Sequence, residues 1–419
     1  MNAMESLIER QLAPLSPTLS LTLPDGRSLG APDAAVRLRL HTLAPLNHLA
    51  SGFVGRLAED YVEGRLDIEG RMRDVATLIA QLLREDPRSL GAASAPAHWL
   101  QAQWRRHRSQ WRHRPQTDAR QVQFHYDVSD DFYRLWLDPL RVYSCAYFSR
   151  PGMSLHQAQQ AKLEHVCTKL MLKPGERFLD IGAGWGALLL WAAEHHGVDA
   201  TGITLSRNQF EHVQRLIVER GLAGRVRVEL RDYRDLDEAQ PFDKIASVGM
   251  FEHVGRAHMP DYFGKIRRLL KPGGLVLNHG ITAGGTRHHQ LGAGISEFIE
   301  RYIFPGGELL HVSDVLRETA DAGLEMVDTE NLRPHYARTL WAWSDALEDA
   351  LDEARASTRE TVVRAFRLYL AGSALGFEQG WIGLYQMLSS RPSGDQARGA
   401  LRGAQSDYPF QRDYQYRKP

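Results

Sequence analysis

The strongest chemical pattern in the chain lies at residues 177–186, where Arg177-Phe178-Leu179-Asp180-Ile181 runs into Gly182-Ala183-Gly184-Trp185-Gly186. An apolar run broken by one acid, then alternate glycines, then an apolar helical pattern over 187–194 reads as strand, tight turn and helix. Gly182, Gly184 and Gly186 let the backbone turn sharply and let a ligand approach it closely. Such a turn at the carboxyl end of a parallel strand is where open α/β sheets bind nucleotides, with Asp180 and the turn amides as the polar groups. Taken alone, the loop also fits a plain strand–helix turn, so its neighbours decide.

The neighbours alternate strand and helix. Strands are predicted over 199–204, 226–230, 242–248 and 275–279, with helices over 206–220 and 262–270 between them and Ser206 as an N-cap. Upstream, a helix over 155–172 places Leu163, Val166, Leu170 and Met171 on one side. Downstream come a glycine- and aromatic-rich excursion over 283–310, a helix over 312–322, a strand over 324–331, helices across 337–375 and a last strand over 381–388. This rhythm predicts an α/β fold built on a largely parallel, doubly wound sheet. Glu252 follows the fourth strand and His279 ends the fifth, so both reach the edge that carries the glycine loop.

Composition narrows the class. A chain of 419 residues, 43% hydrophobic and 24% charged, has room for two or three packed domains and is not globally disordered. Lys plus Arg and Asp plus Glu both total 51, so bulk charge does not nominate nucleic acid as a partner. Cys145 and Cys167 are too few for a disulfide framework. The N-terminus lacks a signal-peptide pattern, and no apolar run approaches the roughly 20 residues that span a bilayer. The expectation is a soluble, cytoplasmic chain without a metal site.

Residues 1–95 read as a small α+β domain, with strands over 19–23, 27–29 and 35–40 and helices over 53–62 and 75–83. Its apolar strand faces serve either as a core or as an accessory platform for an apolar substrate. Residues 96–120 form a basic, aromatic linker, with Trp99, Trp104 and Trp111 among Arg105, Arg106, Arg108, Arg112 and Arg114. Such a stretch suits the headgroup interface of an anionic membrane, and equally a linker helix whose tryptophans pack on the next domain. The catalytic domain is expected over 121–392 and a loosely held polar tail over 393–419.

Several motifs together resemble a known family. Leu179-Asp180-Ile181-Gly182-Ala183-Gly184-Trp185-Gly186 resembles the first motif of S-adenosylmethionine-dependent methyltransferases. Tyr143-Ser144-Cys145-Ala146-Tyr147, Thr204-Leu205-Ser206, Asp232-Tyr233-Arg234-Asp235-Leu236 and Gly249-Met250-Phe251-Glu252-His253-Val254-Gly255 resemble its cyclopropane-fatty-acid and mycolic acid cyclopropane synthase branch. Tyr302-Ile303-Phe304-Pro305-Gly306 and Thr339-Leu340-Trp341-Ala342-Trp343 fit it too, and the motifs run in family order over 124–392. The resemblance implies a class I, Rossmann-like methyltransferase with helical insertions and a small α+β N-terminal domain. It implies S-adenosyl-L-methionine as cofactor, released as S-adenosyl-L-homocysteine. Gly182, Gly184 and Gly186 would lie against the methionine part with Asp180 nearby. Thr204, Leu205 and Gln209 would hold the cofactor after the second strand, where many such enzymes place an acid. Arg231 and Asp232 would serve the adenine, Asp232 accepting from its amino group, and Tyr143 and Ser144 would close over the methionine end.

The implied reaction adds a methylene across a cis double bond of a phospholipid acyl chain. The alkene attacks the sulfonium methyl, a carbocation forms on the chain, and one methyl proton must leave before the ring closes. The family's base is a bound bicarbonate, and its ligands map onto Cys145, Glu252, His279, the backbone of Ile281, and Tyr336. His279 and Tyr336 would donate to the anion, Glu252 would accept its hydrogen and orient His279, and amides near Cys145 and Ile281 would add donors. Tyr302 and Phe304 would either flank the cation or line an acyl tunnel. By the same resemblance Ser373 stands where some members carry a cysteine, which removes any thiol chemistry there. The implied partner is an unsaturated membrane phospholipid, met peripherally at the inner face of the membrane, with a homodimer left open. Two other readings remain: a fatty-acyl methyltransferase giving a methyl or methylene branch, and a lipid-binding protein without catalysis, against which the intact motif set argues.

Overall fold

The structure is a computed structural model that describes residues 19–50, 54–82, 130–286, 295–304, 307–393 and 408–416. The basic, aromatic stretch over 96–120 and the Phe124-His125-Tyr126-Asp127 segment lie outside the described residues. In chain order the first elements are β1 (Leu19–Thr22), β2 (Ser28–Gly30), β3 (Val36–Leu40), α1 (Ala44–Ala50), α2 (Val54–Val62), β4 (Leu66–Glu69) and α3 (Met72–Leu82). Then come α4 (Asp130–Trp136), α5 (Leu155–Lys169), β5 (Arg177–Ile181), α6 (Ala187–His196), β6 (Asp199–Thr204), α7 (Arg207–Glu219) and β7 (Val226–Leu230). They are followed by β8 (Phe242–Val248), α8 (Met259–Leu269), β9 (Leu270–Ala283), α9 (Ile295–Tyr302), α10 (Val312–Asp321) and β10 (Glu325–Asn331). The last are α11 (Arg333–Asp349), α12 (Leu351–Ser357), α13 (Glu360–Glu378) and β11 (Ile382–Ser390).

These elements form two compact units, one of Met1–Ala97, His289–Pro305 and Leu340–Trp381, the other of His98–His288, Gly306–Thr339 and Ile382–Pro419. The boundary differs from the one expected from sequence, which gave the segments over 289–305 and 340–381 to the catalytic domain. Their side chains explain the grouping. Tyr61 on α2 is 2% exposed, its hydroxyl accepts from Arg367 and its carbonyl from Arg364, both on α13. Arg73 on α3 forms a bidentate pair with Asp345. The sheet of this unit has the order β2-β1-β3-β4, with Leu21 opposite Leu29 in the expected hairpin. Leu19, Leu21, Val36, Leu38, Leu40 and Leu66 are all buried, so its apolar strand faces act as core.

The second unit holds the large sheet, of order β10-β11-β9-β8-β5-β6-β7. Pairings from β9 through β7 are parallel, and β11 runs antiparallel to both β9 and β10. Strand alternation sends Phe178, Ala246, Leu277 and Leu388 to a core shared with α5, α6 and α7. Leu179, Ile245, Val276 and Met387 face the opposite core, shared with α8 and α10. The chain lays β6 and β7 outward on one side of β5, then returns to lay β8 on the other. The carboxyl ends of β5 and β8 therefore flank the topological switch point, where ligands bind in sheets of this kind.

Three details depart from expectation. β9 begins at Leu270 rather than near 275, because Gly273 N donates to Arg391 O at 2.7 Å and Gly274 O accepts from Arg391 N at 2.9 Å, holding the Pro-Gly-Gly segment extended. The excursion over 283–310 carries a helix, α9. The described part of the tail is fastened: Tyr408 Oη donates to Glu325 at 2.9 Å and Gln415 is 2% exposed.

Gly280 ties fold to site. A Cβ there would lie 2.1 Å from Phe251 Cε1, and Phe251 precedes Glu252. Replacing Gly280 by Ala should therefore destabilise the protein by about 1–3 kcal/mol through overpacking. Urea unfolding checks this, and an unchanged midpoint would contradict the packing described.

Candidate active site

The wall of the site is set by α5. Ser154 and Gln157 form a reciprocal capping box that fixes where the helix starts. The phase that follows buries not only Leu163 and Val166 but also Gln159, Lys162, His165 and Lys169. Gln159 Nε2 donates to Ser144 O at 2.9 Å, Lys162 Nζ to Ser144 Oγ at 3.0 Å, and Tyr147 N to Ala158 O at 3.0 Å. From the other side Ala146 N donates to Thr339 Oγ1 at 3.1 Å and Phe148 N to His335 Nδ1 at 3.0 Å. The Tyr143-Ser144-Cys145 segment is thus clamped between α5 and α11.

Cys145 is fully buried, with Sγ 3.2 Å from Ala146 O and 3.9 Å from Leu332 O. Burial pushes its thiol pKa far up, which disqualifies it as a nucleophile and leaves it a small apolar wall. Tyr336 follows one turn after Leu332, and Leu332 N donates to Leu384 O at 2.9 Å. Leu384 in turn stands opposite Ile281, two residues beyond His279. Glu252 Oε1 accepts from Ile281 N at 2.7 Å. One region of the sheet edge therefore gathers Cys145, Glu252, His279, Ile281 and Tyr336.

The Glu252 bond revises the role expected for it. His279 O accepts from Gly249 N at 2.8 Å, so the backbone of His279, and of Ile281 two residues on, faces the β8 side. The β8 ladder stops at Val248, opposite His279. Ile281 N–H would be left without a strand partner, and the Glu252 carboxylate takes it. Glu252 consequently orients no ring nitrogen of His279, and the Ile281 amide is not a free donor. Neither nitrogen of His279, nor Glu252 Oε2, nor Thr282 Oγ1 has a hydrogen-bond partner among the described residues. Burial raises Glu252 from an ordinary 4.5 to about 7, against the Ile281 bond that lowers it. Burial, with the charges of Lys162 and Lys169, lowers His279 to about 3, so its imidazole is neutral at pH 7.

The glycine loop also divides its labour. Gly182, Gly184 and Gly186 have φ of 81°, 55° and 85°, as the tight turn requires. The amides of Gly182 and Ala183 both donate back to Ile203 O, at 3.0 and 2.9 Å, so they are not the ligand donors expected. A Cβ at Gly186 would strike Val213 at 2.8 Å, which makes this glycine a packing requirement of α6 on α7. A Cβ at Gly184, and one at Gly249 across the switch point, would meet nothing within 4 Å. Open space therefore faces the carboxyl ends of β5 and β8. Asp180 is 2% exposed, and burial lifts it to about 7 against the pull of Lys162.

Thr204 Oγ1 donates to Gln209 Oε1 at 2.9 Å and accepts from Ser206 N at 3.1 Å, which leaves the Gln209 amide nitrogen as the donor for a ligand. Leu205 lies between them in the turn. Arg231 pairs with Glu229 at 3.0 Å. Asp232 caps a short 3-10 turn, Oδ1 accepting from Arg234 N and Nε at 2.9 Å and Oδ2 from its Nη2 at 2.7 Å. Tyr302 and Phe304 belong to the other unit. There Tyr302 Oη donates to Glu63 at 2.8 Å, and the Phe304 ring meets Tyr369 edge-on at 5.6 Å. A cavity of about 500 Å³ lined by Trp185, Arg141, His212 and Trp191 takes in none of the expected site residues.

Sequence reading missed the buried polar face of α5 and also Gln386. Gln386 is fully buried, stands opposite His279 in the β11–β9 register, and neither amide atom has a partner among the described residues. Only the strand register could have found it, because nothing near Gln386 in sequence carries chemistry.

A doubly wound sheet with a glycine turn at its switch point and polar side chains at the ends of successive strands has the fold of class I S-adenosylmethionine-dependent methyltransferases. The solved coclaurine N-methyltransferase, at 20% identity and a TM-score of 0.66, shares that fold over 80% of this chain and 99% of its own. The chain belongs to the mycolic acid cyclopropane synthetase family, whose model matches residues 113–387. A Pseudomonas putida protein named "Probable fatty acid methyltransferase" is 40% identical over 97% of this chain and 100% of its own. The solved cyclopropane synthase MmaA2 from Mycobacterium tuberculosis is 38% identical, with a TM-score of 0.62, over 65% of this chain and 98% of its own. The mycolic acid cyclopropane synthase CmaA1, solved with S-adenosylhomocysteine and CTAB, matches with the same identity, coverage and TM-score. Among the described residues, no helix is long and apolar enough to cross a membrane, and no group of side chains is suited to a metal ion.

The raised carboxyl of Glu252 makes a stability prediction. A group whose folded-state pKa lies above its unfolded value of about 4.5 leaves stability whole below that pH and removes it as pH rises through about 7. Glu252→Gln keeps an acceptor for Ile281 N and cannot ionise. It should raise stability over wild type by on the order of 2 kcal/mol at about pH 8 and by little at about pH 5. Thermal melts at the two pH values check this, and a gain that does not grow with pH would contradict the desolvated carboxyl.

Proposed function

We propose that this chain is a cyclopropane-fatty-acyl-phospholipid synthase, adding a methylene from S-adenosyl-L-methionine across cis double bonds of membrane phospholipid acyl chains. The observation that carries the reading is the set of unsatisfied buried groups, Glu252 Oε2 and both nitrogens of His279, beside the open edge of the glycine loop. Such groups are costly unless a ligand engages them. A small oxyanion with one hydrogen, as bicarbonate is, has the acceptors for an imidazole N–H and the donor for a carboxylate. The residues therefore fit that ion.

S-adenosyl-L-methionine, when bound, supplies an electrophilic methyl group, and bicarbonate, when bound, supplies a base. The chain supplies the setting. Gly184 opens the loop to close approach, the Gln209 amide donates, and Tyr143 and Ser144 close the methionine end. Asp232, with a lone pair left on Oδ2, accepts from the adenine, with Leu205 and Arg231 beside it. His279 stays neutral, so it adds no charge that would repel a developing carbocation. Glu252 is half-neutralised by burial near pH 7 and tied by Ile281, which weakens it as a nucleophile that would trap the cation as an ester. Tyr336 offers a further donor. Tyr302 and Phe304 are proposed to meet the acyl chain, and the protein to work peripherally on the cytoplasmic face of the membrane.

The second reading, a fatty-acyl C-methyltransferase that leaves a methyl or methylene branch, is favoured by the name of the Pseudomonas putida relative, which aligns over 97% of this chain. The two share a cofactor and differ in the fate of the cation. Purified protein given S-adenosyl-L-methionine and unsaturated phospholipid vesicles should add about fourteen mass units per modified alkene, as a ring. A branched product moves the assignment to the second reading, and no mass gain by a protein that binds cofactor overturns both. Glu252→Gln should lower turnover about a hundredfold or more while leaving cofactor affinity within about threefold, measured by calorimetry. A loss confined to cofactor binding would contradict the role given to Glu252.

A further inference from the structure

Two lysines of α5 are buried, and they differ in one respect. Lys169, fully buried, has its charge answered: Nζ lies 2.6 Å from Glu330 Oε2 and 3.6 Å from Asp328. Lys162, 2% exposed, has one hydrogen bond among the described residues, to Ser144 Oγ at 3.0 Å, and no ion pair. The neighbouring acids do not meet it directly. Asp138 is taken by Val142 N, Leu140 N and His156 at 2.9, 3.2 and 3.1 Å, and Asp180, which burial lifts to about 7, attracts Lys162 without an ion-pair contact. A buried ammonium without an anion in contact is costly, and an arriving carboxylate relieves the cost.

Ser144 relays that charge. An ammonium only donates, so Ser144 Oγ accepts from Lys162 and must send its own hydrogen elsewhere. The Gln159 bond to Ser144 O holds the backbone, and the Lys162 bond holds Oγ. A hydroxyl donor backed by a positive charge suits a carboxylate and repels a sulfonium. We propose that Lys162 is a positioning residue that acts through Ser144 to hold the carboxylate of the cofactor's amino-acid end, and so fixes the orientation of that end. This rests on the reading that S-adenosylmethionine binds at this edge. It adds the residue and the ligand group it serves.

The groups facing Lys162 are Cys145 on the clamped loop, Asp138 after α4, Asp180 at the end of β5 and Cys167 on α5 itself. Burial lowers Lys162 from 10.5 to about 8 against their pull upward. Its charge is therefore present at neutral pH and lost as pH rises through about 8, and the grip on a carboxylate weakens in that direction.

The test compares S-adenosylhomocysteine with 5′-methylthioadenosine, which lacks the carboxylate and amine, by calorimetry on the full chain. Wild type that binds neither ligand would overturn the cofactor reading, and this inference with it. Given binding, Lys162→Met should weaken S-adenosylhomocysteine about tenfold or more and methylthioadenosine less than about threefold. Lys162→Arg should restore most of the loss. In a Ser144→Ala background, Lys162→Met should cost less than about twofold more. Equal losses for both ligands, or an undiminished loss without Ser144, would make Lys162 a structural prop and overturn the proposal. Should Lys162→Met not fold, the wild-type preference for S-adenosylhomocysteine should fall between about pH 7 and pH 9, while Lys162→Arg, which keeps its charge, stays level. A wild-type profile parallel to that of Lys162→Arg would overturn it equally.

Discussion

The site depends on where one strand stops. β8 ends its ladder opposite His279, while β9 continues to Ala283. That leaves the Ile281 amide at the sheet edge without a strand partner, and a buried N–H must be satisfied. Glu252, on the short turn after β8, supplies the oxygen. This bond draws a carboxyl group into a fully desolvated place, and its desolvation raises its pKa to about 7. A backbone requirement has become a chemical property: an acid near neutrality, beside a neutral histidine, at the mouth of a parallel sheet.

The rest of the second unit builds around that edge. Alternation along β9 sends Leu275, Leu277 and then His279 to the face covered by α5, so one helix packs the core and lines the site. The polar side chains of α5 carry that through. Glu330 is pushed up by burial, yet the His165 bond and the Lys169 charge outweigh it and hold the group at about 2. Lys162 stands in the same row without such an acid, beneath the loop that carries Tyr143, Ser144 and Cys145.

Much of this was legible in the sequence. Strand–helix alternation and the glycine loop predicted the parallel sheet, because period and turn chemistry are local. Glu252 and His279 were recognisable as edge residues because one follows a predicted strand and the other ends one, although β9 itself runs on to Ala283. What stayed hidden depends on distant pairing. That Gln386 faces His279 follows only from the β11–β9 register. That Glu252 bonds Ile281 and not His279 follows from the length of β8 against β9. The buried polar face of α5 escaped because apolar periodicity identifies a buried stripe but not the polar residues that share it. The grouping of α9 and α13 with the N-terminal strands escaped because it rests on contacts such as Arg367 with Tyr61, some three hundred residues apart in sequence.

The central claim is that this edge removes a proton from the transferred methyl group. The most direct measurement supplies S-adenosylmethionine with a fully deuterated methyl and weighs the lipid product. Loss of one deuteron leaves a gain of about 16 mass units per alkene, and the account predicts this. A product that keeps all three, heavier by about 17 mass units, would contradict it.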